Sequence, residues 1–136
     1  MAIYWDQCEV TFANKTDSPL KFSTWPTTAG FPFNTATNLV APLTGTGTFT
    51  GSSDNANASS GCAGVVSYSL DNGTMIIIDY RTSYYYGVSD NSRYSVGFSG
   101  PLSSRYDIAN SNVITDSSNG GAGKRVKWTF DVIKTS

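Results

Sequence analysis

Two runs of β-branched and aromatic residues, Gly64-Val65-Val66-Ser67-Tyr68-Ser69-Leu70 and Thr74-Met75-Ile76-Ile77-Ile78-Asp79-Tyr80, flank the tripeptide Asp71-Asn72-Gly73. Asn and Gly accept the positive φ that a tight hairpin turn requires, so this stretch is committed to an antiparallel hairpin. Three consecutive isoleucines lack alternation, and the second strand is therefore expected to be covered on both faces at the centre of a sheet. Elsewhere the period is two. Cys8, Val10 and Phe12 alternate with Glu9 and Thr11, and Leu20 and Phe22 with Lys21 and Ser23. Tyr94, Val96 and Phe98 form another such run, and Val126, Trp128, Phe130 and Val132 point away from Arg125, Lys127, Thr129 and Asp131.

The connections are rich in turn formers. Asn14 to Pro19 predicts a hairpin joining the first two strands, and Trp25-Pro26 ends the second. Residues 27–38 read as a loop containing Phe31 and Phe33, and Leu39, Val40 and Leu43 as an edge strand broken by Pro42. Residues 44–50 read as a strand of small residues, 51–60 as a mobile polar loop, and 105–115 as a weakly patterned short strand or helical turn. With 13 Gly, 19 Ser, 16 Thr and 10 Asn among 136 residues, long helices are disfavoured. Seven or eight short strands, no helical stripe and no fixed-period repeat predict an all-β fold, a single-domain antiparallel β-sandwich over residues 1–136.

Histidine is absent. Without an imidazole neither a Ser-His-Asp nor a Cys-His nucleophile can be assembled, and a zinc site with His ligands is excluded too. The ten acids are Glu9 and nine aspartates, most of them in turn contexts such as Asp17-Ser18-Pro19 and Asp90-Asn91. An Asp in a turn generally serves its own backbone, which argues against a glycosidase-like carboxylate pair and against an enzyme. No catalytic residue is nominated. Asp54-Asn55 with Asp71 or Asp90 lacks the spaced ladder of a calcium loop, so neither a metal nor another cofactor is expected. A net charge of −1 supplies no field for a polyanion, and nucleic acid is not expected as a partner.

The chain as given shows no basic, apolar leader before Cys8 and no run of the ~18 apolar residues that a spanning helix needs. It is expected to be made soluble and to stay cytoplasmic until released. Cys8 and Cys62 pair only where the compartment is oxidising; in a chain without a leader they are expected to be reduced and buried. Lys124-Arg125-Val126-Lys127 lies beside Gly120-Gly121-Ala122-Gly123, with no Walker sequence or strand-loop-helix context. The favoured reading is a solvated strand face that discourages edge pairing, and the other is a weak attraction to anionic lipid headgroups.

The aromatic residues are the most informative set. Tyr80, Tyr84, Tyr85, Tyr86 and Tyr94 crowd the region after the central hairpin, and neighbours on extended backbone alternate sides, so some of these rings must be exposed. Trp25-Pro26 and Phe31-Pro32-Phe33 either extend such a patch or close a core. Exposed tyrosine suits a membrane interface, a choline-like headgroup or a sugar ring. Trp25, Tyr80, Tyr84, Tyr85, Tyr86 and Tyr94 are thus the candidate membrane- or ligand-binding residues. The alternative has Tyr84 and Tyr86 covering the sandwich edge, with Tyr85 alone wet.

Four segments together resemble an aegerolysin, above all the small component of bacterial two-component insecticidal toxins. They are Glu9-Val10-Thr11-Phe12-Ala13-Asn14-Lys15-Thr16, Ser60-Gly61-Cys62-Ala63-Gly64 before the hairpin, the aromatic stretch from Asp79 to Tyr86, and Val126-Lys127-Trp128-Thr129-Phe130-Asp131-Val132. The resemblance spans nearly the whole chain. It implies a β-sandwich that binds membrane lipids or a cell-surface receptor and permeabilises cells, as a homo-oligomer or with a larger toxin subunit. Mushroom members carry a Trp-Asp-Cys-Pro-Trp stretch where this chain reads Asp79-Tyr80-Arg81-Thr82-Ser83-Tyr84, so no sphingolipid preference is carried over. The hairpin is also similar to that of actinoporins, whose N-terminal amphipathic helix has no counterpart ahead of Cys8. On this resemblance the chain is expected to be a non-enzymatic, pore-forming, insecticidal cytolysin acting at target-cell membranes. The alternative is a soluble carbohydrate-binding lectin of related fold.

Overall fold

A computed structural model describes residues 6–53, 61–82, 92–116 and 125–135. Period-two alternation becomes eleven strands among them: β1 (Gln7–Asn14), β2 (Leu20–Thr24), β3 (Thr27–Ala29), β4 (Phe31–Pro32), β5 (Leu39–Val40), β6 (Thr46–Ser52), β7 (Cys62–Ser69), β8 (Met75–Thr82), β9 (Arg93–Ser99), β10 (Tyr106–Asp116) and β11 (Arg125–Lys134). Hydrogen bonding sorts them into two sheets. One runs β10-β11-β1-β6-β4, the other β5-β2-β7-β8-β9 with β3 also on β7. Every pairing is antiparallel except β1 with β11, which is parallel over the full length of β1.

The inner faces of the two sheets enclose one core. Val10, Phe12, Phe49, Trp128 and Phe130 come from the first sheet, and Leu20, Val66, Tyr68, Ile76 and Ile78 from the second, all essentially without solvent contact. Rings meet between the layers: Phe12 lies edge-on to Tyr68 with centroids 5.1 Å apart and stacks on Phe130 at 5.7 Å. The central hairpin forms in the expected register, Ser69 opposite Met75. Gly73 takes φ +85° in its turn, and Asn72 accepts the Thr74 amide on its side-chain oxygen at 3.1 Å.

Three expectations are corrected. Asn14 to Pro19 is not a hairpin, because β1 and β2 lie in different sheets. Each strand has one apolar face, and crossing between the layers stacks those faces on each other, where a hairpin would set them side by side. Asn14 holds this crossover while fully buried: its amide donates to the carbonyls of Ser18, Val40 and Ala41 at 2.8, 3.2 and 3.2 Å, and its oxygen accepts the Thr16 amide and hydroxyl. The isoleucine run is not covered on both faces, since among the described residues no third layer overlies that sheet and Ile77 stays 36% exposed. Residues 27–38, read as a loop, contain β3 and β4. The polar loop at 51–60 lies outside the described residues from position 54 onward.

Replacing Asn14 by Ala would leave buried carbonyls and the Thr16 amide without partners, which costs about 2–3 kcal/mol. Urea unfolding should show the midpoint lowered accordingly with the slope unchanged; a midpoint within error of wild type would mean that water replaces the amide at no cost.

Candidate functional site

Proline shapes the concave part of the surface. β2 ends where the chain reaches Trp25-Pro26, since Pro26 has no amide for a ladder, while its carbonyl accepts the Val65 amide at 3.0 Å. On the facing side Pro32 of β4 stands opposite Gly51, and Asn34 holds the chain beyond it by accepting the Thr50 amide at 2.9 Å. Between these segments lies an open groove of about 710 Å³. Phe22, Trp25, Pro26, Pro32 and Ala36 form its apolar walls, and Ser23, Thr24, Asn34 and Thr35 supply hydroxyl and amide groups. None of these lining residues carries a charge or titrates near neutrality.

Trp25 is half-buried in this wall. Its indole N–H donates to the Tyr80 hydroxyl at 3.0 Å, and its ring meets Phe49 edge-on at 5.3 Å, so the ring is fixed by the core behind it. Such a groove can stack a sugar ring or hold an ammonium by cation–π contact. Among the described residues it offers no cation for an isolated anion and no base to activate a hydroxyl.

The sequence-nominated residues do not form one exposed patch. Tyr80 is fully buried, because Gly51 and Gly64, on facing sheets, leave room for its ring; a Cβ on either would come within 2.4 and 2.7 Å of its hydroxyl oxygen. Tyr94, opposite Tyr80 in register, also turns inward: its ring lies on Trp128 at 5.7 Å and its hydroxyl is 2.7 Å from that of Thr82. Tyr84, Tyr85 and Tyr86 lie outside the described residues. Trp25 alone of the described candidates reaches a concave surface. The groove residues that tyrosine counting missed, Phe22, Asn34 and Ala36, carry no distinguishing local signal. Pro26 and Pro32, each beside an aromatic, were the legible part.

Behind the groove are buried weak acids. Cys8 and Cys62 are free, buried thiols, and burial pushes Cys8 from 9.0 up to about 12, against a hydrogen bond from Thr82. Burial likewise raises Cys62, with the neighbouring Cys8 adding to it, and raises the phenols of Tyr68 and Tyr80. Thiols held protonated in this way are poor nucleophiles.

No protein-family profile matches the chain, and neither does any curated protein. Solved structures share its shape, a two-sheet β-sandwich. The lipid binding protein Nakanori superposes with a TM-score of 0.61 at 13% identity, over 92% of this chain and 70% of that one. The RahU protein, in complex with a TRIS molecule, gives 0.54 at 15% over 99% and 98% of the two chains. IP-1A from Alcaligenes faecalis gives 0.50 at 17% over 99% and 96%. At these identities the likeness is one of fold.

The raised thiols and phenols predict alkaline lability with a definite sign. The unfolded chain releases these protons from pH 9.0 for thiol and 10.0 for phenol, whereas the folded chain retains them. Their stabilisation is therefore fully present below pH 9.0 and is lost as pH rises through the folded values. Melting temperature should be level near neutrality and fall above about pH 9, less steeply in Cys8→Ala/Cys62→Ala. A level profile to about pH 11 would contradict the burial of these groups.

Proposed function

We propose that this chain is a membrane-binding protein that docks lipid headgroups in the Trp25 groove and makes or breaks no covalent bond. The observation carrying this reading is the composition of the groove: a half-exposed indole locked by Tyr80 and Phe49, flanked by hydroxyl and amide groups, with no charged lining residue. A choline-type ammonium is neutral in pairing demand once its own phosphate accompanies it, and an aromatic face binds it without a carboxylate. Support comes also from sharing a fold with a lipid binding protein. The lack of histidine and of any titrating group in the groove supports a non-enzymatic role.

At a finer level we read the chain as a pore-forming, insecticidal cytolysin that is released from the cytoplasm and acts at target-cell membranes. It works as a homo-oligomer or with a larger subunit. The sequence resemblance to the small components of two-component toxins supports this. A second reading, a carbohydrate-binding lectin, is favoured by the same ring with Thr24, Asn34 and Thr35 around it.

Sedimentation with phosphatidylcholine and sphingomyelin vesicles tests the first reading. Trp25→Phe keeps most of the packing but weakens the cation–π face, and should lower vesicle affinity about threefold to tenfold. Because no charge lines the groove, affinity for these zwitterionic vesicles should change less than about twofold between about 0.05 and 0.5 M salt. Unaltered binding by Trp25→Phe together with steep salt dependence would rule out the groove. Dye release from the same vesicles checks permeabilisation, and selective binding on a glycan array without vesicle binding would favour the lectin.

A further inference from the structure

A second concavity lies on the outer face of the β10-β11-β1 region. Ile114 stands opposite Lys127, Lys127 opposite Glu9, and Arg125 opposite both Gln7 and the backbone of Asp116. These side chains of β1, β10 and β11, with Val126, line a cleft of about 300 Å³. Two cations face one carboxylate in that lining. The Nε of Arg125 is buried and has no hydrogen-bond partner among the described residues. Among the described residues neither Arg125 nor Lys127 belongs to an ion pair, although Glu9 stands opposite Lys127 and lines the same cleft.

A guanidinium N–H withdrawn from water without an acceptor is costly, so a site that maintains one is built for an acceptor supplied from outside. Arg presents Nε–H and Nη–H as a planar fork that matches two oxygens of a phosphate, and Lys127 adds a second positive group two residues along the same face. Ile114, 57% exposed, forms the apolar rim. We propose that this cleft is a second headgroup site, separate from the Trp25 groove, which holds the phosphate of an anionic lipid. This inference rests on the membrane-docking reading.

The ladder register places the two sites at one end of the sandwich. Pro32 in the groove wall is opposite Gly51, Gly51 is opposite Cys8, and Cys8 is opposite Val126 in the cleft wall. Three inter-strand steps separate the sites by roughly 14 Å. The two sites are thus level along the strands, and Ile114 beside the cations suits an acyl-chain boundary better than a freely diffusing ion.

The test compares wild type with Arg125→Gln/Lys127→Gln and with Lys15→Gln/Lys21→Gln, a control pair of equal charge change at the other end. The probes are vesicles of phosphatidylcholine alone, vesicles of phosphatidylcholine with phosphatidic acid, and inorganic phosphate. Wild type should bind the phosphatidic acid vesicles at least about tenfold more tightly than phosphatidylcholine, in a salt-sensitive manner. The cleft variant should lose that preference, the control pair should keep it, and all three should bind phosphatidylcholine alike. Arg125→Lys should recover only part of the preference, since the fork is lost while the charge remains. Melting temperatures check that each variant folds.

Equal losses in the control pair, or no preference in wild type, would overturn the cleft. Saturation of the Arg125 Nε–H resonance by inorganic phosphate, with no gain on phosphatidic acid vesicles, would overturn the lipid as its ligand. Loss of binding to phosphatidylcholine by wild type would instead strike at the groove reading, so the two failures are separable.

Discussion

Ring-on-ring packing between the two sheets is the interaction on which the other features depend. Phe12, Phe130 and Trp128 from the first sheet interlock with Tyr68 and Tyr94 from the second. A second set in the same core, Phe49 and Tyr80, leads to Trp25 at the surface. Each ring contributes burial as well as directional contact, and such pairs add about 0.5–1.5 kcal/mol beyond their area. The candidate binding ring is thus fixed by two rings of the core, Phe49 and Tyr80. A change deep in the sandwich at Gly51 or Tyr80 reaches the groove because the intervening contacts have no slack.

This continuity explains why a tryptophan can stand half out of the core without collapsing onto it. Its indole N–H is satisfied by the Tyr80 hydroxyl, and Tyr80 is held in place by the space two glycines leave. The order of the ring, which costs entropy in a free side chain, is already supplied by folding, so a ligand stacking on it need not order it again. The price of this arrangement is strictness at positions 51 and 64, where even a methyl group overlaps the phenol.

Legibility in the sequence followed from how many neighbours each strand has. β7, β8 and β11 sit inside their sheets with an inner face against the other layer, and their alternation or turn chemistry stood out. β10 did not. It is an edge strand carrying one extra residue near Asn110, whose φ is +56°, between the Ala109 and Asn112 pairings. Its apolar phase therefore flips: Ile108 and Val113 stand opposite the inward-facing Val132 and Trp128 although they are five apart, and Val113 remains 41% exposed. A period-two scan sees no pattern across such a bulge. The tyrosines misled for a different reason, since the pockets that swallow Tyr80 and Tyr94 are made by residues distant in sequence. Gly51 lies 29 positions before Tyr80, and no local window contains both. Neither the groove nor the cleft could be read as a site, because each is assembled from segments that only the sheet register brings together.

The two sites differ in chemistry in a way that matters for how a lipid surface would be met. The described lining of the groove is uncharged and its contacts are short-ranged, so in the proposed docking it would distinguish headgroups by shape and by what stacks on an indole. Among the described residues the cleft has two cations against one carboxylate and a guanidinium N–H without an acceptor, so its attraction would reach about a Debye length, roughly 8 Å in physiological salt. An approaching molecule would therefore be oriented first by the cleft and discriminated afterwards by the groove. Because β11, β1, β6 and β4 are hydrogen-bonded neighbours, the separation between the sites is set by the ladder itself. Were both sites to engage one bilayer as proposed, their fixed spacing would hold the sandwich at one tilt, where a single contact would leave it free to swing.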